Sequence, residues 1–278
     1  MANGYSLHIA VNQPATDHYG SNLKPLRACL NDADKMAQLA AHSQFQQIEK
    51  LFDHEATYAN VIGQINDYAR QAKAGDLVFI SYSGHGSQIP VFNPGNDADE
   101  HDDLDETWCL YDTQLIDTEL YNALTKFEKD VRVVVILDSC HSGTAIHEWI
   151  HESWAFLEDF LNSREQRFRH VSESLREKLF KKHRTDFEKR QQAMIDQRGG
   201  KMQASICLMS ACQDNQRAIE DLHNGRFTSA ILFEVDNQHT YRSLHKKIHK
   251  HLHAFQSPNL YTLGPKTNQM LKLPFMEV

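Results

Sequence analysis

The sequence contains few cysteines and no closely spaced cysteine pair. Its 278 residues include five cysteines, none of them in a CxxC arrangement: Cys29, Cys109, Cys140, Cys207 and Cys212. A disulfide framework needs an even set of partners and a zinc knuckle needs closely spaced thiols, so neither is expected. Each cysteine is therefore either a small buried apolar residue or a reactive thiol.

The sequence also lacks an excess of basic residues and any long apolar run. Lysine and arginine number 29 against 37 acidic residues, which gives a net charge of −8. Nucleic acids and anionic membranes attract a basic surface, so neither is expected as a partner. Apolar runs such as Val131–Leu137 are far shorter than the roughly 20 residues that cross a bilayer. With no signal-peptide pattern at the N-terminus, we predict a cytoplasmic protein.

Strand-like and helix-like segments alternate along the chain. Hydrophobic residues make up 41% and charged residues 24% of it, as is usual for a globular protein. Short apolar runs predict strands at Tyr5–Val11, Gln47–Phe52, Leu77–Tyr82, Val131–Leu137 and Ser205–Met209. Apolar residues at helical spacing predict helices at Leu26–Ala41 and Thr57–Lys73. The alternation predicts an α/β fold with a mostly parallel sheet flanked by helices.

Two stretches break this alternation. Between Asp97 and Glu119 there are ten acidic residues and no lysine or arginine, which predicts a long loop that could contain a hairpin at Trp108–Tyr111. From Glu148 to Gln197 the sequence is charged, with an apolar stripe that predicts one or two long amphipathic helices. This insertion either packs on the domain or acts as a partner-binding or autoinhibitory element.

Residues with catalytic chemistry follow two of the predicted strands. Ser83-Gly84-His85-Gly86 follows the third strand, and Asp138-Ser139-Cys140-His141 follows the fourth. Reactive groups collect beyond the carboxyl ends of parallel strands, because the loops converge there. A lone buried cysteine is usually inert and a lone histidine usually structural. Together, however, Cys140 can attack as a thiolate while His85 manages the proton. His141 is the weaker base, because neighbouring side chains alternate in direction.

These two motifs resemble the active-site motifs of caspase-like cysteine peptidases, specifically the metacaspases and their bacterial relatives, the orthocaspases. The likeness continues through Leu26–Ala33, Ile206–Gln216 and Gly225–Thr228. The resemblance implies a caspase-like fold with a six-stranded, mostly parallel sheet. It divides the chain into a large-subunit-like part (1–147), a charged helical insertion (148–200) and a small-subunit-like part (201–278).

The resemblance also implies roles for individual residues. The backbone N–H groups of Gly86 and Cys140 would hold the oxyanion, and Cys29, Asp32 and Ser83 would line the substrate pocket. Strand alternation independently directs Asp138, two residues before Cys140, toward the same site. Because carboxylates favour a cationic side chain, the pocket predicts cleavage after arginine or lysine.

Two groups of residues are candidates for a metal site, an acidic group between Asp97 and Glu119 and a group of C-terminal histidines. Many metacaspases need calcium, and Asp105, Asp117 and Glu119 fall near the matching positions, with oxygen ligands that suit calcium. The chemistry itself needs no cofactor, and calcium activation and a plain solvated acidic loop both stay open. Five C-terminal histidines favour the polar face of an amphipathic helix over a metal site: His239, His245, His249, His251 and His253.

The sequence therefore predicts a cysteine endopeptidase that cleaves after arginine or lysine through a Cys140/His85 dyad. Basic peptides or proteins are the expected substrates, and the insertion could bind a protein partner. Because basic residues lie near the Gly199-Gly200 pair, self-cleavage is predicted within Arg184–Lys201 of the insertion. The alternative is a caspase-fold binding or scaffold protein with little or no peptidase activity.

Overall fold

The structure is a computed structural model of the 278-residue chain. It describes residues 2–92, 104–139, 167–197, 200–212, 218–221, 223–235, 239–252 and 256–278.

Strands and helices alternate through most of these ranges. The strands are β1 Gly4–Ala10, β2 Gln47–Phe52, β3 Leu77–Ser83, β4 Gly86–Pro90, β5 Leu104–Cys109, β6 Gln114–Ile116, β7 Arg132–Asp138, β8 Arg167–Phe168, β9 Ser205–Ser210, β10 Ile219–Glu220 and β11 Asn259–Leu263. The helices are α1 Thr16–Tyr19, α2 Cys29–His42, α3 Tyr58–Gln71, α4 Asp117–Leu124, α5 Glu173–Asp196, α6 Arg226–Glu234, α7 Tyr241–Ile248 and α8 Thr267–Met270.

Six strands form the central sheet in the order β11-β9-β7-β3-β1-β2. β11 runs antiparallel to β9, and the other neighbouring pairs are parallel. The predicted α/β fold with a six-stranded, mostly parallel sheet flanked by helices is confirmed. Ser83 and Asp138 are directly paired at the carboxyl ends of β3 and β7, so the loops that follow these strands leave the sheet side by side.

The sheet separates two hydrophobic cores. Val133 and Val135 of β7 face the core beneath α3 and α4, whereas Val134 and Ile136 face the core beneath α2, α6 and α7. Successive side chains of a strand point to opposite faces, and this is why the strand is apolar at nearly every position. A strand covered on both faces lies deep in the molecule, so the site at its end has a rigid support.

The acidic stretch is more ordered than its composition predicts. β4, β5 and β6 form a small antiparallel sheet, and α4 begins at Asp117, so the prediction of one long loop is wrong for residues 104–119. Buried residues such as Trp108 and Ile116 outweigh the charge there. The predicted hairpin is present as the β5–β6 pair, and Asp97–Asp103 lie outside the described residues.

The insertion contains one long helix and a short strand within its described part. α5 has 24 residues, and Phe187 on it packs against Ile89 and Ile116. Phe168 belongs to β8, which pairs antiparallel with β10, so its predicted place on a helix is wrong. The strand is favoured because its backbone finds partners in β10. Residues 140–166 lie outside the described ranges.

Residues 239–278 supply β11, an edge strand of the central sheet, and an amphipathic helix, α7. Tyr241, Leu244 and Ile248 are the buried residues of α7, in line with the predicted apolar face. Two of the C-terminal histidines have protein partners: His245 Nε2 lies 3.0 Å from the Pro258 carbonyl oxygen, and His251 contacts Glu234. Among the described residues, no three histidine, cysteine or acidic side chains are grouped as a metal site. No described helix has the length and apolarity of a membrane span.

Candidate active site

His85 is positioned by the turn that follows β3. Its side chain is 2% exposed, and Nε2 lies 2.8 Å from the Lys24 carbonyl oxygen. Because a carbonyl oxygen only accepts hydrogen bonds, Nε2 carries the proton and Nδ1 has a free lone pair. Nδ1 is buried and makes no hydrogen bond of ordinary geometry to a described residue, although the His170 backbone lies close enough to the ring to raise its pKa slightly. Burial lowers the pKa of His85 to about 4, so the ring is neutral at physiological pH and able to accept a proton.

The loop around His85 is anchored by Tyr82. The Tyr82 hydroxyl lies 2.7 Å from the His85 carbonyl oxygen and 3.0 Å from the Cys109 carbonyl oxygen, so its single proton is shared between the two acceptors. Its ring stacks on Trp108 with a 4.8 Å centroid separation. A side chain at Gly84 would collide with the Tyr82 hydroxyl, so glycine is required for this close approach.

A segment of the insertion lies across the site in the manner of a bound peptide. Gly86 N donates to the Arg169 carbonyl oxygen at 3.0 Å, and Arg169 N donates to the Ala218 carbonyl oxygen at 3.1 Å. On the other side of Arg169, Val171 N donates to the Gly86 carbonyl oxygen at 3.1 Å. Together with the β8–β10 pairing, these bonds make the segment an added strand, the usual mode of recognition for an extended peptide.

The side chain of Arg169 fills a buried acidic pocket and has no exposed surface. Its Nη2 lies 2.5 Å from Asp32 Oδ2 and 3.3 Å from Glu220 Oε2. Its Nη1 lies 3.0 Å from Asp138 Oδ1, 2.8 Å from Ser83 Oγ and 2.8 Å from the Asp138 carbonyl oxygen. One guanidinium group therefore meets three carboxylates.

The residues predicted to line the substrate pocket lie together around Arg169. The structure brings Asp32, Ser83 and Asp138 together, with Ser83 Oγ donating to Asp32 Oδ2 at 2.8 Å. Cys29 lies in the same region, where burial raises the pKa of its thiol and a hydrogen bond with Ser83 opposes the shift. Asp32 also accepts from Gly225 N at 2.9 Å, which joins α2 to the N-terminus of α6.

The carboxylates are held by backbone and hydroxyl donors as well as by Arg169. Asp138 Oδ2 accepts from Thr228 N at 2.9 Å and from Thr228 Oγ1 at 2.8 Å. Burial raises the pKa of Asp138 to about 6, with the Arg169 charge opposing the shift and the Asp32 charge adding to it. Glu220 Oε1 accepts from Arg27 N at 2.9 Å. The pocket is thus assembled before any external cation enters it.

Three contributors to this pocket were not singled out by sequence reasoning: Arg169, Glu220 and Thr228. Thr228 lies in one of the segments that carry the family resemblance, although no role was assigned to it. Arg169 lies in the insertion, 84 residues after His85 (169 − 85). Its only sequence signal is the basic Arg167-Phe168-Arg169 run. Glu220 has no such signal.

The predicted nucleophile, Cys140, and its neighbour His141 lie outside the described residues. The chain reaches this point through Asp138 and Ser139, both buried. The four other cysteines are buried in the fold. Burial raises the pKa of Cys207 to about 12, and it raises those of Cys29 and Cys109 as well. These thiols are therefore poor nucleophiles.

The three calcium candidates do not form a common site. Asp105 lies on β5, whereas Asp117 and Glu119 lie in the first turn of α4. Asp105 Oδ2 accepts from Gln191 Nε2 at 2.6 Å, and Glu119 is ion-paired with Arg190 at 2.5 Å. Both partners belong to α5.

The six-stranded sheet flanked by helices is that of a caspase-like fold. Residues 6–148 match the family described as "Metacaspase, peptidase C14 domain", which is just over half of the chain. The chain belongs to the metacaspase family, whose members are cysteine-type peptidases. The resemblance carried by the two motifs is thus confirmed.

Individual relatives show how far the likeness extends. Metacaspase-6 of Arabidopsis thaliana is 32% identical over 142 residues, covering 47% of this chain and 37% of the relative. Metacaspase-1A of Aspergillus oryzae is 31% identical over 144 residues, covering 46% and 33%. The matched part of this chain therefore spans well under half of these relatives.

Two solved structures resemble the whole chain. A Geobacter sulfurreducens protein has a TM-score of 0.83 and 35% identity, covering 98% of this chain and 97% of its own. Caspase-1 of Spodoptera frugiperda has a TM-score of 0.53 and 8% identity, covering 95% and 88%. The second likeness is one of fold alone, and it confirms the caspase-like architecture.

Gly225→Ala tests how tightly the pocket is packed. The new Cβ would lie against Asp138 Oδ2 and 2.6 Å from Arg169 Nη1, so the ion pair must shift. We expect the free energy of unfolding to fall by about 1–3 kcal/mol, measured by urea denaturation in a Cys140→Ala background that keeps the chain uncut.

Gly63→Ala is the matched control. A Cβ at Gly63 meets nothing within 4 Å, and this residue lies inside α3, so we expect a gain of up to about 1 kcal/mol. Equal losses for the two variants would contradict the close packing described at Gly225.

Proposed function

We propose that this protein is a cysteine endopeptidase that cleaves after arginine through Cys140 and His85. The observation that carries the proposal is Arg169, whose side chain ends among three carboxylates while its carbonyl oxygen accepts from Gly86 N. These are the two contacts that a substrate residue needs on the acyl side of a scissile bond. The bond after it, Arg169–His170, is then the one in position to be cut.

The proposed chemistry uses the free lone pair of His85. Nδ1 accepts the proton of the Cys140 thiol, and the thiolate attacks the carbonyl carbon of the arginine. The oxyanion is held by the N–H of Gly86 and, as the family resemblance implies, by that of Cys140; one such donor commonly contributes about 3–4 kcal/mol. His85 then gives its proton to the leaving amine. Water, activated by the same ring, hydrolyses the thioester and regenerates the thiol.

The arrangement of the pocket supports arginine over lysine. The two terminal nitrogens of Arg169 have different partners, Asp32 and Glu220 for one and Asp138 for the other. A planar guanidinium spans both sets, whereas a single ammonium group cannot. Losing one hydrogen bond to a charged partner costs roughly 1.5–3 kcal/mol, so we expect lysine substrates to be cleaved at least about tenfold less efficiently.

The same contacts support self-processing and a resting state that is closed to other substrates. While Arg169 fills the pocket, an external arginine has no place to bind. Arg184, Lys189 and Arg190, which lie in the stretch first predicted for self-cleavage, belong to the 24-residue helix α5. An extended backbone is required in a peptidase cleft, so the Arg169–His170 bond is the better supported site within the insertion.

The second candidate is a caspase-fold binding protein without turnover. A permanently filled pocket would also suit a scaffold, and the buried charge pairs at Arg169 would stabilise it. The buried, neutral ring of His85 at the carboxyl end of β3 favours the peptidase, because catalysis needs a proton acceptor at that place and a scaffold does not. The activity measurement below separates the two functions.

A peptide panel tests the proposed activity. Fluorogenic peptides of the form Arg-Phe-Xaa, copied from residues 167–169, would carry arginine, lysine or aspartate before the fluorophore. We expect kcat/KM to decrease in the order arginine, lysine, aspartate, with aspartate near background. Cys140→Ala should abolish turnover, whereas Cys207→Ala, which changes another buried cysteine, should retain it. Turnover that survives Cys140→Ala, or none with any peptide, would refute the proposal.

The pH dependence of KM tests the pocket. With Arg169 in the pocket, burial raises the pKa of Asp138 to about 6 against the opposing Arg169 charge, so in the emptied pocket the carboxylate loses its charge at about this pH or above it. Between pH 7.5 and 5 we expect KM for the arginine peptide to rise by up to about tenfold. The pKa of His85 is lowered to about 4, so its ring stays neutral and kcat should change less. Asp138→Asn should have a high KM with no such pH dependence; a wild-type KM that is flat over this range would contradict the assignment.

A further inference from the structure

Arg190 anchors helix α5 at the point where β6 ends and α4 begins. Its Nε lies 2.9 Å from Glu119 Oε1 and its Nη2 lies 2.5 Å from Glu119 Oε2, which is the two-pronged geometry that arginine forms with carboxylates. Tyr58 donates to Oε1 at 3.0 Å and Ile116 N donates to Oε2 at 3.0 Å. Glu119 is 4% exposed, and each of its oxygens already has two donors.

The remaining contacts of Arg190 are equally specific. Nη2 also donates to the Gln114 carbonyl oxygen at 2.6 Å, and the guanidinium lies over the Tyr58 ring at 4.7 Å from its centroid. The next residue, Gln191, donates from Nε2 to Asp105 Oδ2 at 2.6 Å and to the Pro90 carbonyl oxygen at 3.1 Å. Two successive residues of the insertion therefore bind two of the three carboxylates proposed for calcium.

A calcium ion needs six to eight oxygen ligands gathered around one point. Glu119 cannot supply one without releasing Arg190, whose remaining ion-pair partner in the described ranges is the exposed Asp186 at 3.4 Å, and separating a mostly buried pair is unfavourable. Across the ranges that the structure describes, no group of three such side chains surrounds a point. The residues around Glu119 do not fit calcium.

We propose that the Arg190 guanidinium takes the place of a metal cation at Glu119. As a result, α5 remains bound after cleavage and peptidase activity needs no calcium. The inference about activity rests on the proposed function, whereas the anchoring of α5 does not. Cleavage at Arg169–His170 would release the end that carries Arg169 and leave the end that carries α5 in place. The insertion then has two separate parts, a removable one in the cleft and a permanent one on the small antiparallel sheet.

Thermal unfolding of the uncut Cys140→Ala chain tests the anchoring without relying on activity. Arg190→Met leaves Glu119 buried and unpaired, so we expect Tm to fall by roughly 5–15 °C. Arg184→Met is the matched control, because Arg184 is half-exposed on the same helix and its ion pair within the described ranges is with Glu188; its Tm should change by less than about 2 °C. The Arg190→Met/Glu119→Gln double variant should recover part of the loss. Equal Tm values for the two single variants would overturn the proposal.

Two measurements on the self-processed wild type test the rest. Backbone amides of α5 should exchange with deuterium as slowly in the processed protein as in the uncut Cys140→Ala chain, and the rate with the arginine peptide should agree within twofold in 5 mM calcium chloride and in excess EGTA. Exchange of the α5 amides as fast as in an unstructured peptide, or a tenfold loss of rate in EGTA, would overturn the proposal. Failure of the chain to cleave itself would instead count against the proposed function and leave the unfolding result standing.

Discussion

The structure depends on one buried guanidinium surrounded by three carboxylates. Asp32 comes from α2, Asp138 from the end of β7 and Glu220 from β10, so the group connects parts of the chain that are far apart in sequence. Three carboxylates buried together without a cation repel one another, so an emptied pocket must take up a proton or water. Arg169 supplies that cation, so the pocket is held in shape by a side chain of the insertion; under the proposed function the same side chain blocks it until the chain is cut.

This arrangement couples recognition to folding. The acids that bind Arg169 also fix neighbouring elements, since Asp32 accepts from the N-terminus of α6 and Glu220 accepts from the N-terminus of α2. A substrate arginine would enter a pocket whose oxygens are already oriented, and little rearrangement would be needed to bind it. Burial is the main cause of the raised pKa of Asp138, and the neighbouring Asp32 charge adds to it.

Much of the fold could be predicted because it follows from local patterns. The apolar run of β7 and the helical spacing in α3 lead directly to a covered parallel sheet, and parallel strands place His85 beside the end of β7. The edge strand β11 had no such signal, because Tyr261 and Leu263 are half-exposed and the strand depends on pairing with β9. The small antiparallel sheet was hidden by charge, and one of its acidic side chains, Asp105, accepts a hydrogen bond from Gln191 of α5.

The site itself was only half predictable. Alternation along a strand directs Asp138 toward the cleft, and the family motif adds Asp32. Arg169 and Glu220 meet only because β8 pairs with β10 across 51 residues of sequence, and no local pattern encodes that contact.

The most direct test of this account is the position at which the wild-type chain cuts itself. Intact-mass measurement and N-terminal sequencing of the incubated protein should give fragments 1–169 and 170–278, the second beginning at His170. Arg169→Ala should prevent this cut, and Arg167→Ala, two residues away in the same strand, should not. A cut within Arg184–Lys201 with the Arg169–His170 bond intact, or cleavage that persists in Arg169→Ala, would contradict the central claim that Arg169 occupies the substrate position.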